Sequence, residues 1–120
     1  MATIVHFEIP ADDVGRAKKF YGELFGWQFQ DLPPEMNYTL VNTTGEKPVN
    51  GGMMKRQHPG QQITNYIDVS SAGDYSAKVE SLGGKVLVPK SPIPEIGYFA
   101  ICMDTEGNVF GLFEADKSVK

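Results

Sequence analysis

The chain of 120 residues is long enough for one domain with a sizeable core, and 41% hydrophobic against 22% charged residues is typical of a globular protein. Its net charge of −4 gives no basic surface for a nucleic-acid partner, and its single cysteine excludes a disulfide framework and a multi-cysteine metal site. The sequence has no apolar run near the roughly 20 residues of a membrane span and no signal-peptide pattern at its start, so we expect a cytoplasmic protein with no membrane partner.

The stretch from Thr3 to Trp27 is predicted to form a strand, a helix and the start of a second strand. Period-two alternation separates the two faces of the first strand. These faces carry Val5, Phe7 and Ile9 on one side and Ile4, His6 and Glu8 on the other.

The helix after this strand has a predicted start and end. Asp12 or Asp13 can cap its first turn, and Gly26 can end it. Its apolar residues recur at helical spacing and are Val14, Ala17, Phe20, Tyr21, Leu24 and Phe25. We expect this helix to cover the Val5 face of the strand. His6 and Glu8 would then lie together on the face without a helix, which is the first indication of a functional site.

The two halves of the chain repeat one pattern of strand, helix and three strands. Gly45 and Gly107 lie in similar turns between apolar runs, which is typical of hairpins. A second helix is predicted over residues 72–82, with Ser70 or Ser71 as its cap. We therefore predict one α+β domain over residues 1–120. It contains two βαβββ modules of mostly antiparallel strands, about 3–55 and 63–115, joined by a linker at 56–62 and forming a cup.

Three segments resemble the glyoxalase/bleomycin-resistance family, also called the vicinal oxygen chelate superfamily. They are HFEIPADDVGRAKKFYGELFGW, SLGGKVLVP and DTEGNVFGLFE, in this order along the chain. The resemblance implies the same cupped fold and a small-molecule ligand. It leaves the reaction open, because members isomerise, lyse, epimerise, oxygenate or only bind a drug. It also implies a homodimer, which the exposed sheet edges favour as well.

Metal-using members place His or Glu ligands on the first and last strands of each module, and the resemblance puts His6 at the first of these places. The matching place in the second module is Thr64 or Tyr66, depending on one gap. In the last strand it is Gly111, since the nearby Glu114 lies three residues further on and on the opposite face. The corresponding strand of the first module offers Gly51 to Met54.

A metal held by His6 alone would bind weakly, because a divalent ion needs three or four converging ligands. We therefore expect no tightly held metal and assign no other cofactor. His6 and Glu8 are the candidate catalytic residues for proton transfer. The alternative is a structural role for both residues, with His6 as a hydrogen-bonded strand histidine and Glu8 as a glutamate that is hydrated or paired with Lys or Arg. The expected ligand-binding residues are Thr64, Tyr66, Gly111 and Phe113.

The sequence leaves several functions open. The first is a glyoxalase-like enzyme whose metal site has degenerated, and a metal-dependent lyase, isomerase or dioxygenase of the same superfamily is an alternative. Another alternative is a non-catalytic protein that sequesters a drug, as bleomycin-resistance proteins do. The last alternative is a structural or regulatory protein whose cup has lost any catalytic function.

Overall fold

The computed structural model describes residues 2–120, which divide into two compact units. The first unit is His6–Ile63, and the second consists of the residues up to Val5 together with Thr64–Lys120. The elements of the first unit are β1 (Ile4–Ala11, in this unit from His6 onward), α1 (Val14–Phe25), β2 (Gln28–Asp31), β3 (Thr39–Asn42) and β4 (Asn50–Lys55). Those of the second unit are β5 (Thr64–Asp68), α2 (Ala72–Ser81), β6 (Lys85–Ile93), β7 (Gly97–Met103) and β8 (Val109–Ala115).

The first unit is a four-stranded sheet with one helix on one face. β1 pairs with β4 in parallel, and β4–β3 and β3–β2 are antiparallel. The helix-side core consists of Ile9, Ala11, Val41 and Met53. Because side chains alternate along a strand, this packing leaves the side chains between them on the opposite, helix-free face.

Helix α1 begins and ends as predicted, with one ambiguity resolved. Asp13 is the N-cap, and its Oδ1 accepts from the Arg16 N–H at 3.0 Å. Asp12 instead forms an ion pair with Arg56 at 3.0 Å. Gly26 ends the helix in the left-handed conformation at φ 75°, which a residue without Cβ adopts without strain.

The predicted apolar face of α1 is only partly buried. Val14, Ala17 and Tyr21 pack against the core, and Trp27 stacks on Tyr21 with ring centroids 5.2 Å apart. The other three apolar residues of the face, Phe20, Leu24 and Phe25, are 56–60% exposed. The prediction that the helix covers the sheet is confirmed, but its apolar stripe is wider than the surface that the sheet offers.

The second unit repeats the arrangement of the first. β5 and β8 are parallel, and β8–β7 and β7–β6 are antiparallel. Ser71 caps α2, with its Oγ accepting from the Asp74 N–H at 3.1 Å. The core of this unit consists of Val69, Ala100, Cys102 and Leu112, with Tyr75 and Val79 of α2 packed against it.

The predicted βαβββ pattern is confirmed in each unit, with differences at turns and strand ends. The sequence predicts a strand over residues 85–89, but β6 continues past Pro89 to Ile93, because it pairs only with β7 within the described sheet and a proline at such an edge breaks no second ladder. Gly107 has the positive φ of a hairpin glycine, 86°, but in the first hairpin Thr44 takes that role with φ 55°. Within residues 2–120, neither helix is long and apolar enough to cross a membrane.

Candidate functional site

A chain of two hydrogen bonds joins His6, Tyr38 and Glu8 on the helix-free face of the first unit. The His6 Nε2 lies 2.8 Å from the Tyr38 hydroxyl oxygen, and that hydroxyl donates to Glu8 Oε2 at 2.9 Å. All three side chains are half-buried. The sequence predicted His6 and Glu8 as neighbours, and the structure links them through a third side chain that sequence reasoning missed.

The loop between β2 and β3 holds Tyr38 in place. It contains a 3₁₀ turn at Pro34–Met36, which ends at Asn37 with a positive φ of 47°. The Leu32 N–H then donates to the Tyr38 carbonyl at 3.0 Å and closes the loop. Tyr38 therefore enters β3 with its backbone held by the loop, and its side chain reaches the face of the sheet where His6 and Glu8 lie.

Gly52 makes room for the Tyr38 ring. This glycine pairs with Glu8 on one side and with Leu40 on the other. A Cβ at this position would lie 1.8 Å from the Tyr38 hydroxyl oxygen, so any side chain here would displace the ring. A glycine inside a strand often marks such a close approach. Gly52 is therefore one sequence signal that could have identified Tyr38. The other is that Tyr38 lies two residues before Leu40 and so belongs to the same face of the strand.

The protons in the hydrogen bonds between His6, Tyr38 and Glu8 can be assigned from the donors and acceptors. A tyrosine hydroxyl carries one proton, and Tyr38 gives it to the Glu8 carboxylate. The oxygen of Tyr38 therefore accepts from His6, which places a proton on Nε2. Burial lowers the pKa of His6 below its ordinary value, and the negative charge of Glu8 only partly opposes this. His6 is thus uncharged near neutral pH and can act as a base.

A pocket of about 490 Å³ opens beside His6 in the first unit. Its lining comes from all four strands and is mostly amide and apolar side chains. The lining residues are His6, Gln28, Phe29, Gln30, Leu40, Val41, Asn42, Asn50 and Gly51. Apart from His6, these lining residues are not predicted as ligand-binding from the sequence, because strand register and not a local motif brings them together.

The predicted ligand-binding residues of the second unit lie along β5 and β8. Tyr66 pairs with Gly111, while Phe113 pairs with Asp68. Thr64 lies seven residues before the cap of α2, as His6 lies seven residues before the cap of α1. Thr64 is therefore the counterpart of His6, and Tyr66 is the counterpart of Glu8.

Comparisons with known proteins identify the family of this chain. Residues 3–44 match the family described as bleomycin resistance protein-like N-terminal. A glyoxylase-like domain-containing protein from Didymella fabae is 34% identical over 115 residues, which cover 88% of each chain. The chain belongs to the glyoxalase/bleomycin-resistance superfamily.

Two further proteins are similar to this chain, one of them much longer than it and the other much less similar in sequence. The glyoxylase-designated protein CFP32 of Mycobacterium bovis is 30% identical over 93% of this chain, which spans only 45% of that protein's length. A glyoxalase/bleomycin resistance protein/dioxygenase superfamily member from Vibrio splendidus shares the fold with a TM-score of 0.70. It is 13% identical, and the match covers 97% of this chain and all of the other.

The superfamily's metal positions do not fit a metal in this chain. Gly111 offers no side-chain ligand, and the Tyr66 ring fills the space that a ligand at 111 would need, with a Cβ there only 2.2 Å from Cδ2. Gly52 is covered by Tyr38 in the same way. Glu114 lies on the helix side, as expected from its period, and accepts from the Ala72 N–H at 2.8 Å. Across residues 2–120, no three His, Cys, Asp or Glu side chains converge as metal ligands would.

We expect Gly111→Ala to reduce the free energy of unfolding by about 1–3 kcal/mol, because the new methyl group overlaps the Tyr66 ring. Gly45→Ala is the control, since its nearest atom, Pro48 Cβ, would be 4.0 Å away. Urea unfolding measures both. Adding Tyr66→Ala to Gly111→Ala should cost less than the two single changes summed. Equal tolerance of alanine at 45 and 111 would contradict this account of Gly111.

Proposed function

We propose that this chain binds a small organic molecule in the first-unit pocket and transfers a proton through His6, Tyr38 and Glu8, without a tightly held metal. The observation that carries the proposal is the Tyr38 hydroxyl, bonded to His6 Nε2 at 2.8 Å and to Glu8 Oε2 at 2.9 Å. His6 also lines the pocket, so one end of the hydrogen-bond chain is in contact with the space for the ligand.

The proton follows the hydrogen bonds. Uncharged His6 takes a proton from a carbon next to the ligand's carbonyl group and becomes an imidazolium. Its Nε2 proton moves to the Tyr38 oxygen while the Tyr38 proton moves to the Glu8 carboxylate. The ligand then carries the negative charge that Glu8 has lost, so charge and protons balance. The lowered pKa of His6 supports this role, because it keeps the base unprotonated at neutral pH.

Proton transfer without a metal is supported by what occupies the superfamily's ligand positions. Tyrosine rings fill the space above Gly52 and Gly111, and Thr64 stands where the first unit has His6. The one remaining ligand, His6, has its Nε2 in a hydrogen bond with Tyr38. Binding of a divalent ion at His6 would need at least two further ligands, and the superfamily's ligand positions in this chain do not supply them.

Metal analysis tests this part of the proposal. We expect untagged protein, purified without chelator and then dialysed, to hold well under one equivalent of zinc, nickel, iron or manganese, because one histidine is a weak site. His6→Ala is the matched comparison. Close to one equivalent of metal in the wild type, lost in His6→Ala, would contradict the proposal and restore a metal-dependent lyase, isomerase or dioxygenase.

A second candidate is a protein that sequesters its ligand without changing it. The match of residues 3–44 to a bleomycin resistance protein-like family favours this candidate. It needs the pocket but not the proton path. The two functions therefore differ in what the Tyr38 hydroxyl does.

Replacing that hydroxyl separates the two candidates. We expect wild-type protein in D₂O to catalyse exchange of deuterium into the C–H groups beside the carbonyl of dihydroxyacetone, hydroxyacetone or methylglyoxal, followed by proton NMR. Tyr38→Phe should slow this exchange by about 10²-fold or more, the range typical of a lost acid–base group. Tyr21→Phe, which alters a stacked ring of the same unit, should not.

Each other outcome has a defined meaning. No exchange above buffer with any of the three compounds would contradict proton transfer and favour sequestration. Exchange at the wild-type rate in Tyr38→Phe would contradict the path through Tyr38. His6→Ala and Glu8→Gln should lose exchange as Tyr38→Phe does, because each interrupts the same chain of hydrogen bonds.

A further inference from the structure

We infer that the first-unit pocket selects uncharged molecules that present a carbonyl or hydroxyl oxygen, and that it disfavours carboxylates and phosphates. This inference rests on the proposed function, because it names the class of ligand that the same pocket takes. It is carried by the placement of four amide side chains and by the absence of a cation among the lining residues of the described chain.

The four amides come from three neighbouring strands. Gln28 and Gln30 lie on β2, Asn42 on β3 and Asn50 on β4. Gln28 pairs with Asn42, and Asn50 pairs with His6, so strand register brings these side chains side by side next to the base. Amides both donate and accept hydrogen bonds without carrying charge. Leu40 and Phe29 add apolar surface to the same pocket.

The two asparagines present donors to the ligand. The Thr43 N–H donates to Asn50 Oδ1 at 3.0 Å, and the Thr44 N–H donates to Asn42 Oδ1 at 2.9 Å. Their oxygens are thus engaged by the turn after β3. Across residues 2–120 no hydrogen bond engages either NH₂ group, so these groups are the donors left for an oxygen of the ligand.

The charges of the first unit oppose an anion at this place. None of the nine lining residues is Lys, Arg, Asp or Glu. Lys18 and Arg56 are ion-paired with Asp31 and Asp12, and none of the other lysines and arginines of the unit lines the pocket; they are Arg16, Lys19, Lys47 and Lys55. Beyond His6 and Tyr38 lies the carboxylate of Glu8, so a carboxylate or phosphate in the pocket would meet a like charge and no cation among the lining residues.

Matched pairs of small probes test this selectivity. The probes are acetamide against acetate and nicotinamide against nicotinate, titrated into the full chain and followed by the NMR amide signals of the pocket strands. We expect each neutral probe to shift the side-chain NH₂ signals of Asn42 and Asn50. We expect the anion of each pair to bind at least about tenfold more weakly.

A charge placed in the pocket provides the matched variant. Gln28→Lys should raise nicotinate affinity to that of nicotinamide or above, because it supplies the missing cation. Gln62→Lys adds the same charge at an exposed position that does not line the pocket, and it should leave the preference unchanged.

Two results would count against these conclusions in different ways. Acetate or nicotinate binding at the pocket signals as tightly as its neutral partner, in the wild type, would overturn the selectivity and leave the proposed function standing. No shift of the pocket signals with any of the four probes would contradict the pocket as a binding site, and the proposed function would fail with it.

Discussion

The site of the first unit depends on one tyrosine hydroxyl that serves two titratable side chains at once. His6 and Glu8 are half-buried, and polar groups in such surroundings cost free energy unless they are hydrogen-bonded. The Tyr38 hydroxyl accepts from one and donates to the other. This geometry requires a strand position without a side chain, which is Gly52, and a loop that fixes the Tyr38 backbone.

The second unit also has a strand glycine that makes room for a tyrosine ring, but the ring comes from a different strand. There the glycine is Gly111, and the ring above it belongs to Tyr66 of the neighbouring strand β5. In the first unit the ring comes instead from Tyr38, which precedes β3. Both β4 and β8, where the family resemblance implies metal ligands, therefore hold a glycine under a tyrosine. These two packing arrangements, and not the loss of one residue, underlie the proposal of a function without a tightly held metal.

Much of the fold could be predicted, because it is encoded in short-range patterns. Alternation in β1, a cap candidate before each helix and Gly26 after α1 are local signals, and the structure confirms them with Asp13 and Ser71 as the caps. The hydrogen-bond chain through Tyr38 was not predicted in the same way, because Tyr38 reaches Glu8 across 30 residues of sequence through strand register. Burial of α1 was overestimated, since periodicity gives a face but not the width of the surface that covers it.

Some expectations concern more than one chain or the cell, and they stay predictions. The homodimer is one of them, and the exposed Phe20 and Leu24 of α1 are apolar surface that a partner could cover. The cytoplasmic location is another. Assignment of catalytic and ligand-binding roles to His6 and Glu8, and to the residues of β5 and β8, depends on the experiments above.

The most direct test of the central claim is an NMR titration of His6 with ¹⁵N-labelled imidazole. We expect a neutral Nε2–H tautomer and a pKa of His6 below the ordinary 6.5. Unfolding should then become easier as pH falls below 6.5, since the unfolded chain binds this proton more readily. Glu8→Gln should lower the pKa of His6 further, because the Glu8 charge raises it. A pKa of His6 at or above 6.5, or a proton on Nδ1 alone, would contradict the hydrogen-bond chain on which the account rests.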